Sequence, residues 1–351
     1  MAKLCSFEEV ELWLSREVAF HPRGYYRLAL SIAKKQPLTL WGQRPSPIHI
    51  EGPLEREIEE AVWRELVAPP KPPPTLTIHY TDERPTWKSA LLPFIRDRNA
   101  SFMIVCNPAD LWRCLYSRCV WDIWEDYERN FRQESVYTLG QSFSRRVMWH
   151  LLQPFRVLVH GYVLAEYAYA PLVSLRRARF LPNAFISVQN APPLLPRLAG
   201  SYALYTGNIT YSWGALEAIQ QALQASEQPF VIAGSPKPPQ IEQALREALR
   251  RHPAWLWIKG RFVPYPIIQN LQRYSALLYA PYRPLPHLRD KVPGKFYEAA
   301  AQKVPIRYPV GKSTVWDAFW KRYRNASDAP ELYWSYYEGE LWDWIDTLRA
   351  K

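Results

Sequence analysis

The sequence predicts an α/β protein of two domains, each built on a parallel sheet, and three observations carry that prediction. After residue 200, short apolar runs alternate with segments of helical period at regular spacing. The first half repeats the same grammar less evenly, and 351 residues exceed what one hydrophobic core usually serves. Strands alternating with helices of about ten residues argue for right-handed crossovers and a sheet covered on both faces.

In the first half the expected order is helix Arg23 to Lys35, strand Leu38 to Trp41, helix Leu54 to Leu66 and strand Leu76 to Tyr80. Helix Trp87 to Arg96, strand Phe102 to Cys106, helix Ala109 to Tyr116 and strand Val120 to Ile123 follow. In the second half, strand Tyr202 to Thr206 leads to helix Trp213 to Leu223, strand Pro229 to Gly234 to helix Ile241 to Arg251, and strand Trp255 to Ile258 to helix Pro266 to Arg273. Strand Ala276 to Ala280, helix Gly294 to Gln302 and strand Val304 to Tyr308 close a Rossmann-like series, and two aromatic helical segments, Thr314 to Arg324 and Ala329 to Leu348, come last. The proline-rich stretch Val67 to Pro74 reads as a stiff connection inside the first domain. Asn190 to Arg197 reads as the boundary between domains. The expected division is therefore 1–195, 196–310, and a tail of 311–351 that packs back on the first domain.

Composition removes several function classes. The 13 glycines include no pair spaced two or five positions apart, so neither a G-x-G-x-x-G fingerprint nor a phosphate-binding G-x-x-x-x-G-K loop can be written. The four cysteines contain no C-x-x-C, which supports neither a disulfide framework nor a zinc ribbon and fits a reducing compartment. Glu8, Glu9 and Glu11 interrupt any apolar core of a secretory signal, and the charge-free stretch Leu198 to Leu216 is broken by glycines, Asn208 and hydroxyls. A soluble, cytoplasmic protein is expected. The net charge of +11 permits an anionic membrane face, nucleic acid or phosphate-bearing molecules, but its basic residues lie in short clusters, and nucleic acid is the least expected partner.

Open parallel sheets bind ligands beyond the carboxyl ends of their strands, so residues just after strands are the candidates. Helix Gly294 to Gln302 follows the Ala276 to Ala280 strand, and its N-terminus offers unpaired N–H groups and a partial positive charge. Gly294 lets a phosphate approach the backbone and Lys295 adds a full charge, so a diphosphate fits there. One turn on, Glu298 can accept two hydrogen bonds from a vicinal diol such as a ribose. Isolated histidines and the absence of D-x-D argue against a metal, leaving protein cations to stabilise a leaving diphosphate. No cofactor is expected.

Pro293-Gly-Lys-Phe-Tyr-Glu298-Ala-Ala-Ala-Gln-Lys-Val-Pro305-Ile resembles the P-x-K-[LF]-[YF]-E-x-x-A-x-x-x-P-[VI] signature of retaining nucleotide-sugar glycosyltransferases of the GT-B group, family 4-like, whose two Rossmann-like domains face each other across a cleft. Leu204-Tyr-Thr-Gly207-Asn208, Phe230 to Gly234 and Trp257-Ile-Lys259-Gly260-Arg261-Phe262-Val-Pro264 are similar to further segments of the group. Phe20 to Ala33 resembles its first long helix, Val120-Trp-Asp122-Ile-Trp-Glu125-Asp126-Tyr its "YDxHE" strand end, and Leu164-Ala-Glu166 and Leu181-Pro-Asn183 its last stretch before the second domain. The group's E-x7-E pair stands here as Asp290-x7-Glu298, Trp124 replaces the histidine, and Asn208 to Trp213 lacks the usual basic residue.

The resemblance implies a metal-independent transferase moving a sugar from a nucleotide-diphosphate donor to a carbohydrate or lipid-linked acceptor, with retention, in bacterial-type surface glycan assembly. Donor contacts would come from Gly207, Asn208, Lys259, Gly260, Arg261, Phe262, Asp290, Gly294, Lys295 and Glu298. Asp122, Glu125 and Lys295 would be catalytic, and Glu166 and Asp126 would lie on the acceptor side. Peripheral contact with the inner membrane face would involve Tyr25, Tyr26, Arg27, Arg145 and Arg146. A catalytically silent scaffold and a nucleotide-sugar epimerase or hydrolase on the same fold are the alternatives.

Overall fold

The computed structural model describes residues 10–17, 31–35, 37–43, 47–68, 73–81, 102–105, 111, 114, 119–123, 147, 150–151, 153–166, 169–170, 173–187, 190–210, 213–225, 228–236, 239–261, 263–326 and 329–349. The chain divides into two compact units, one of residues 1–45, 70–182 and 337–351, the other of 46–69 and 183–336. This differs from the expected division, because residues 46–69 and 183–195 belong to the second unit, as does the first part of the 311–351 tail.

The first unit holds a seven-stranded sheet of β1 (Val10–Glu17), β2 (Leu38–Gln43), β4 (Leu76–Thr81), β5 (Phe102–Val105), β6 (Cys119–Ile123), β7 (Val159–Leu164) and β8 (Ala178–Phe180). Every pairing is parallel, in the order β4-β2-β1-β5-β6-β7-β8. Counted within the unit this is the doubly wound order 3-2-1-4-5-6, extended by one strand. Trp121 faces Tyr162 and Ile123 faces Leu164 across neighbouring strands, and these residues share one buried cluster with Val105, Leu111 and Tyr169. Alternation then sends Asp122 to the other face of the sheet.

The second sheet runs β13-β12-β9-β10-β11-β3, from β9 (Ala203–Thr206), β10 (Phe230–Gly234), β11 (Trp255–Lys259), β12 (Leu277–Tyr279), β13 (Ile306–Arg307) and the edge strand β3 (His49–Glu51). Its five later strands are parallel in the order 3-2-1-4-5, and β3, from the first half of the chain, pairs antiparallel with β11. β10 and β11 are interior strands and read Phe-Val-Ile-Ala-Gly and Trp-Leu-Trp-Ile-Lys, apolar throughout until the last residue, as a strand covered on both faces requires.

Helices α1 (Glu60–Val67), α2 (Ala215–Gln224), α3 (Pro239–Arg251), α4 (Tyr265–Arg273), the short α5 (Pro286–Arg289), α6 (Gly294–Gln302), α7 (Thr314–Tyr323) and α8 (Trp334–Arg349) complete the described elements. The apolar stripes of α2 and α3 cover one face of this sheet, with Ala218, Ile219, Ile241 and Leu245 against Tyr205, Ile232, Trp257 and Tyr279. α4 is buried almost all round, including Gln269, Asn270 and Gln272. Asn270 explains part of this: its side chain accepts from Leu194 N–H at 2.8 Å and donates to Pro192 O at 2.7 Å. The segment expected as a linker is therefore fastened to the second unit, with Leu194 and Leu195 in its core.

Candidate functional site

The order of the second sheet reverses between β9 and β12, and a doubly wound sheet opens its ligand crevice at that point, outside the carboxyl ends. Gly207 follows β9 with φ 98° and donates its N–H to Ala233 O at 2.9 Å. Gly234 ends β10 with φ 150°, and a Cβ there would stand 2.0 Å from Gly207 O. Gly214 precedes α2 with φ 70°, where a Cβ would stand 1.7 Å from the carbonyl oxygen of Pro281, just beyond β12. Only glycines permit these approaches, which gather the chain after β9, β10 and β12 into one crowded edge.

Lys295 enters this edge from the first turn of α6. Pro293 caps that helix and its side chain makes no hydrogen bond to the first turn. Lys295 is 4% exposed, and its ammonium lies 4.4 Å from the ring centre of Tyr205 and 5.4 Å from that of Tyr282. A Cβ on Gly207 would be 3.6 Å from Lys295 Cε and 3.8 Å from Nζ, which sets the ammonium directly beside the Gly207 turn. Tyr205 donates its hydroxyl toward the carbonyls of Asn208 at 2.9 Å and Trp213 at 3.2 Å. Burial first, then the neighbouring Tyr282 and Glu217, push its pKa well above the ordinary tyrosine value, so it holds these carbonyls as a phenol. Trp213 stacks edge-on to Tyr282 at 5.0 Å and has Lys291 over its ring at 5.8 Å. Thr206, buried at the end of β9, has no hydrogen-bond partner for its hydroxyl among the described residues.

Glu298 has different partners from those expected. Its side chain is 2% exposed; Oε1 accepts from Tyr265 Oη at 3.0 Å and Oε2 from Gln272 Nε2 at 2.7 Å. Tyr265 and Gln272 stand seven residues apart on one face of α4, and Gln302 extends the chain by donating to Gln272 Oε1 at 3.1 Å. The carboxylate thus ties α6 to α4.

Lys259, expected beside a diphosphate, is directed to α3: its ammonium pairs with Glu242 at 2.8 Å and lies 4.9 Å from the Trp257 ring. Glu242 also receives Arg246, which reaches Glu51 of β3 at 2.7 Å. Hydrogen bonds from Lys259 and Arg246 hold the Glu242 carboxyl below the usual carboxylate range. Asp290 is half-exposed and 3.3 Å from its neighbour Arg289. Gly260 is buried, Asn208 and Arg261 are exposed, and Phe262 lies outside the described residues.

In the first unit, Asp122 is fully buried in β6 and Glu166 is buried two residues beyond β7. Ala165 N–H donates to Ile123 O at 3.0 Å, so the two carboxylates stand at the carboxyl ends of adjacent strands. Glu125 and Asp126 lie outside the described residues, as do Tyr25, Tyr26, Arg27, Arg145 and Arg146. Among the described residues no three histidines, cysteines or carboxylates gather as metal ligands, and no helix is long and apolar enough to cross a membrane. Sequence reasoning missed Tyr205 and Tyr282 at the site. Their positions, one residue before the end of β9 and three past the end of β12, were the available signal.

No family model and no curated protein matches the chain. Among solved structures it is similar to AviGT4, a glycosyltransferase involved in avilamycin A biosynthesis, at 13% identity over 98% of both chains with a TM-score of 0.48. It is similar to an α,α-trehalose 6-phosphate synthase from Burkholderia multivorans at 10% identity, over 97% of this chain and 98% of that one, with a TM-score of 0.48. The UDP-N-acetylglucosamine 2-epimerase from Rickettsia bellii is similar at 9% identity, over 97% of this chain and 96% of that one, with a TM-score of 0.49.

Proposed function

We propose that the second unit binds a nucleotide-diphosphate sugar and that the chain is a glycosyltransferase of the GT-B kind, passing the sugar to a carbohydrate or lipid-linked acceptor with retention of configuration. The observation that carries this reading is the buried Lys295 ammonium beside the Gly207 turn at the reversal point of the sheet. A diphosphate at the α6 N-terminus would meet the Lys295 ammonium together with the N–H groups and partial positive charge of the helix start. As the glycosidic bond lengthens, negative charge grows on the leaving diphosphate. Lys295 and the N–H groups of Gly294 and Lys295 meet that charge without reorganising, so no metal is required in this scheme.

In this reading Glu298 is a positioning residue: by tying α6 to α4 it fixes the turn that carries Lys295. Asp122, in the first unit, is the catalytic carboxylate of this reading, and Glu166, at the neighbouring strand end, lies on the acceptor side. Surface glycan assembly is the setting we assign. Mass spectrometry of products from a panel of nucleotide sugars, with and without saccharide acceptors, tests the proposal. Transfer to an acceptor is expected, free sugar alone would indicate a hydrolase, and an untouched panel would overturn the reading.

A further inference from the structure

A second concentration of positive charge lies in the first unit, at the amino-terminal edge of its sheet. The 3-10 turns Gln153–Leu158 and Leu175–Arg177 run directly into β7 and β8 and bring Arg156, Arg176 and Arg177 to that edge, with Arg179 one residue into β8. Glu166 lies at the other end of β7, about 20 Å from His160 at roughly 3.3 Å per residue.

The last helix supplies the opposite wall. At Gly161 of β7 a Cβ would stand 2.8 Å from Trp344 Cζ2 and 2.9 Å from Leu348 Cδ1, so α8 lies directly on the strand and only glycine allows the approach. Between α8 and β8 this leaves a cavity of about 310 Å³ lined by Arg176, Arg177, Arg179, His160, Thr347 and Trp344. His160 Nδ1 accepts from Cys119 N–H at 3.3 Å, which assigns the ring N–H to Nε2. A second concavity of about 590 Å³ shares Arg176 and Arg177 and adds Arg156, Tyr162 and Val157, the last 80% exposed. Arg156 is held by Gln153 at 2.5 Å and over the Trp121 ring at 6.0 Å.

No carboxylate among the described residues pairs with Arg176, Arg177 or Arg179. Elsewhere in the described structure arginines pair readily, as Arg246, Arg251, Arg283 and Arg322 do. The three side chains are exposed and line one cavity; like charges that share a cavity repel one another, and the planar forks of guanidinium groups match phosphate oxygens two at a time. We propose that this cavity binds a phosphate-bearing ligand, its anionic group on Arg176, Arg177 and Arg179 and its apolar part along Trp344. The site lies within the first unit, and the proposal is independent of the donor reading.

Two sources share this chemistry, a soluble phosphate compound and a phospholipid headgroup, and two probes separate them. In a Lys295→Met background, which removes the cation of the proposed donor site, inorganic pyrophosphate is titrated calorimetrically, and flotation is measured with phosphatidylglycerol vesicles against pure phosphatidylcholine vesicles. The same background carrying Arg176→Gln, Arg177→Gln and Arg179→Gln should lose at least tenfold of whichever binding is present. It should also melt no lower than its parent, because repulsion is relieved. Arg177→Gln alone serves if the triple change impairs folding. Saturable pyrophosphate binding lost in the variant supports a soluble phosphate compound; vesicle binding alone, lost likewise, supports a headgroup. Binding of neither probe, or equal binding by parent and variant, overturns the proposal.

Discussion

Replacing Glu298 with alanine separates two roles that its burial leaves in competition. In the structure the carboxylate satisfies two buried donors, the Tyr265 hydroxyl and the Gln272 amide. Removing it strands both, at about 1–3 kcal/mol for each buried group left unpaired, or about 2–6 kcal/mol in all. For a unit of this size roughly 1 kcal/mol moves the melting temperature about 2–4 °C, so a fall on the order of 10 °C is expected. Glu298→Gln keeps one acceptor and should fall about half as far. Differential scanning calorimetry reads the first quantity, and titration of a nucleoside diphosphate at 15 °C, below the transition, reads the second. If Glu298→Ala melts within about 2 °C of wild type while its nucleotide affinity drops tenfold, the clamp between α6 and α4 is the wrong account and the carboxylate serves the ligand directly.

Lys295→Met keeps the stem against Tyr205 and Tyr282 while deleting the charge. If that charge meets the leaving diphosphate, kcat should fall about 100-fold with a smaller change in nucleotide affinity, and equal losses in both would refute a transition-state role. Gly234→Ala forces a Cβ into Gly207 O and should cost several kcal/mol together with nucleotide binding, whereas Gly200→Ala, with φ 78° and nothing within 4 Å, should cost about 1–2 kcal/mol and leave binding intact; melting curves and titration check both. Glu242 has its folded-state pKa lowered, so its contribution to stability is present above the ordinary value of 4.5 and is lost as pH falls through the lower folded-state value. Melting temperatures of wild type and Glu242→Gln should differ above pH 4.5 and converge in acid, and a constant gap across the series would refute the assignment.

The second sheet was legible because its strands are covered on both faces and therefore appear as unbroken apolar runs with helical spacing between them. The same reasoning hid β1, where Glu11, Ser15, Arg16 and Glu17 interrupt the run, and β3, whose three residues His49-Ile-Glu carry no periodic signal. The expected helix from Leu54 to Leu66 forms in two pieces, a 3-10 turn at Pro53–Glu57 and α1, separated by the extended Ile58. Lys295 and Gly207 could be found from sequence because each stands just past a strand or at the start of a helix, positions that the sheet itself converts into neighbours. The partners of Glu298 could not, since meeting Tyr265 and Gln272 depends on how two helices pack. Lys259 shows the converse: it has the right place after β11, but Glu242 one helix away takes its charge, and no local pattern records that pairing.

The edge strand β3 also sets an order of events during synthesis. Ile50 pairs with Ile258, and Arg246 closes on Glu51, across about two hundred residues of intervening chain. At about 5–20 residues per second, the ribosome delivers β11 on the order of 10–40 s after β3 has emerged. During that interval β3 and α1 have none of their native neighbours in the second sheet, while most of the first unit's strands are being completed around them. A fragment begun at residue 196 would lack the strand altogether and leave the Trp255–Lys259 edge unpaired, an exposed apolar edge of the kind that recruits other chains. Expression of residues 196–336 alone should therefore yield aggregates unless residues 46–69 are supplied, either fused through a linker or as a separate peptide.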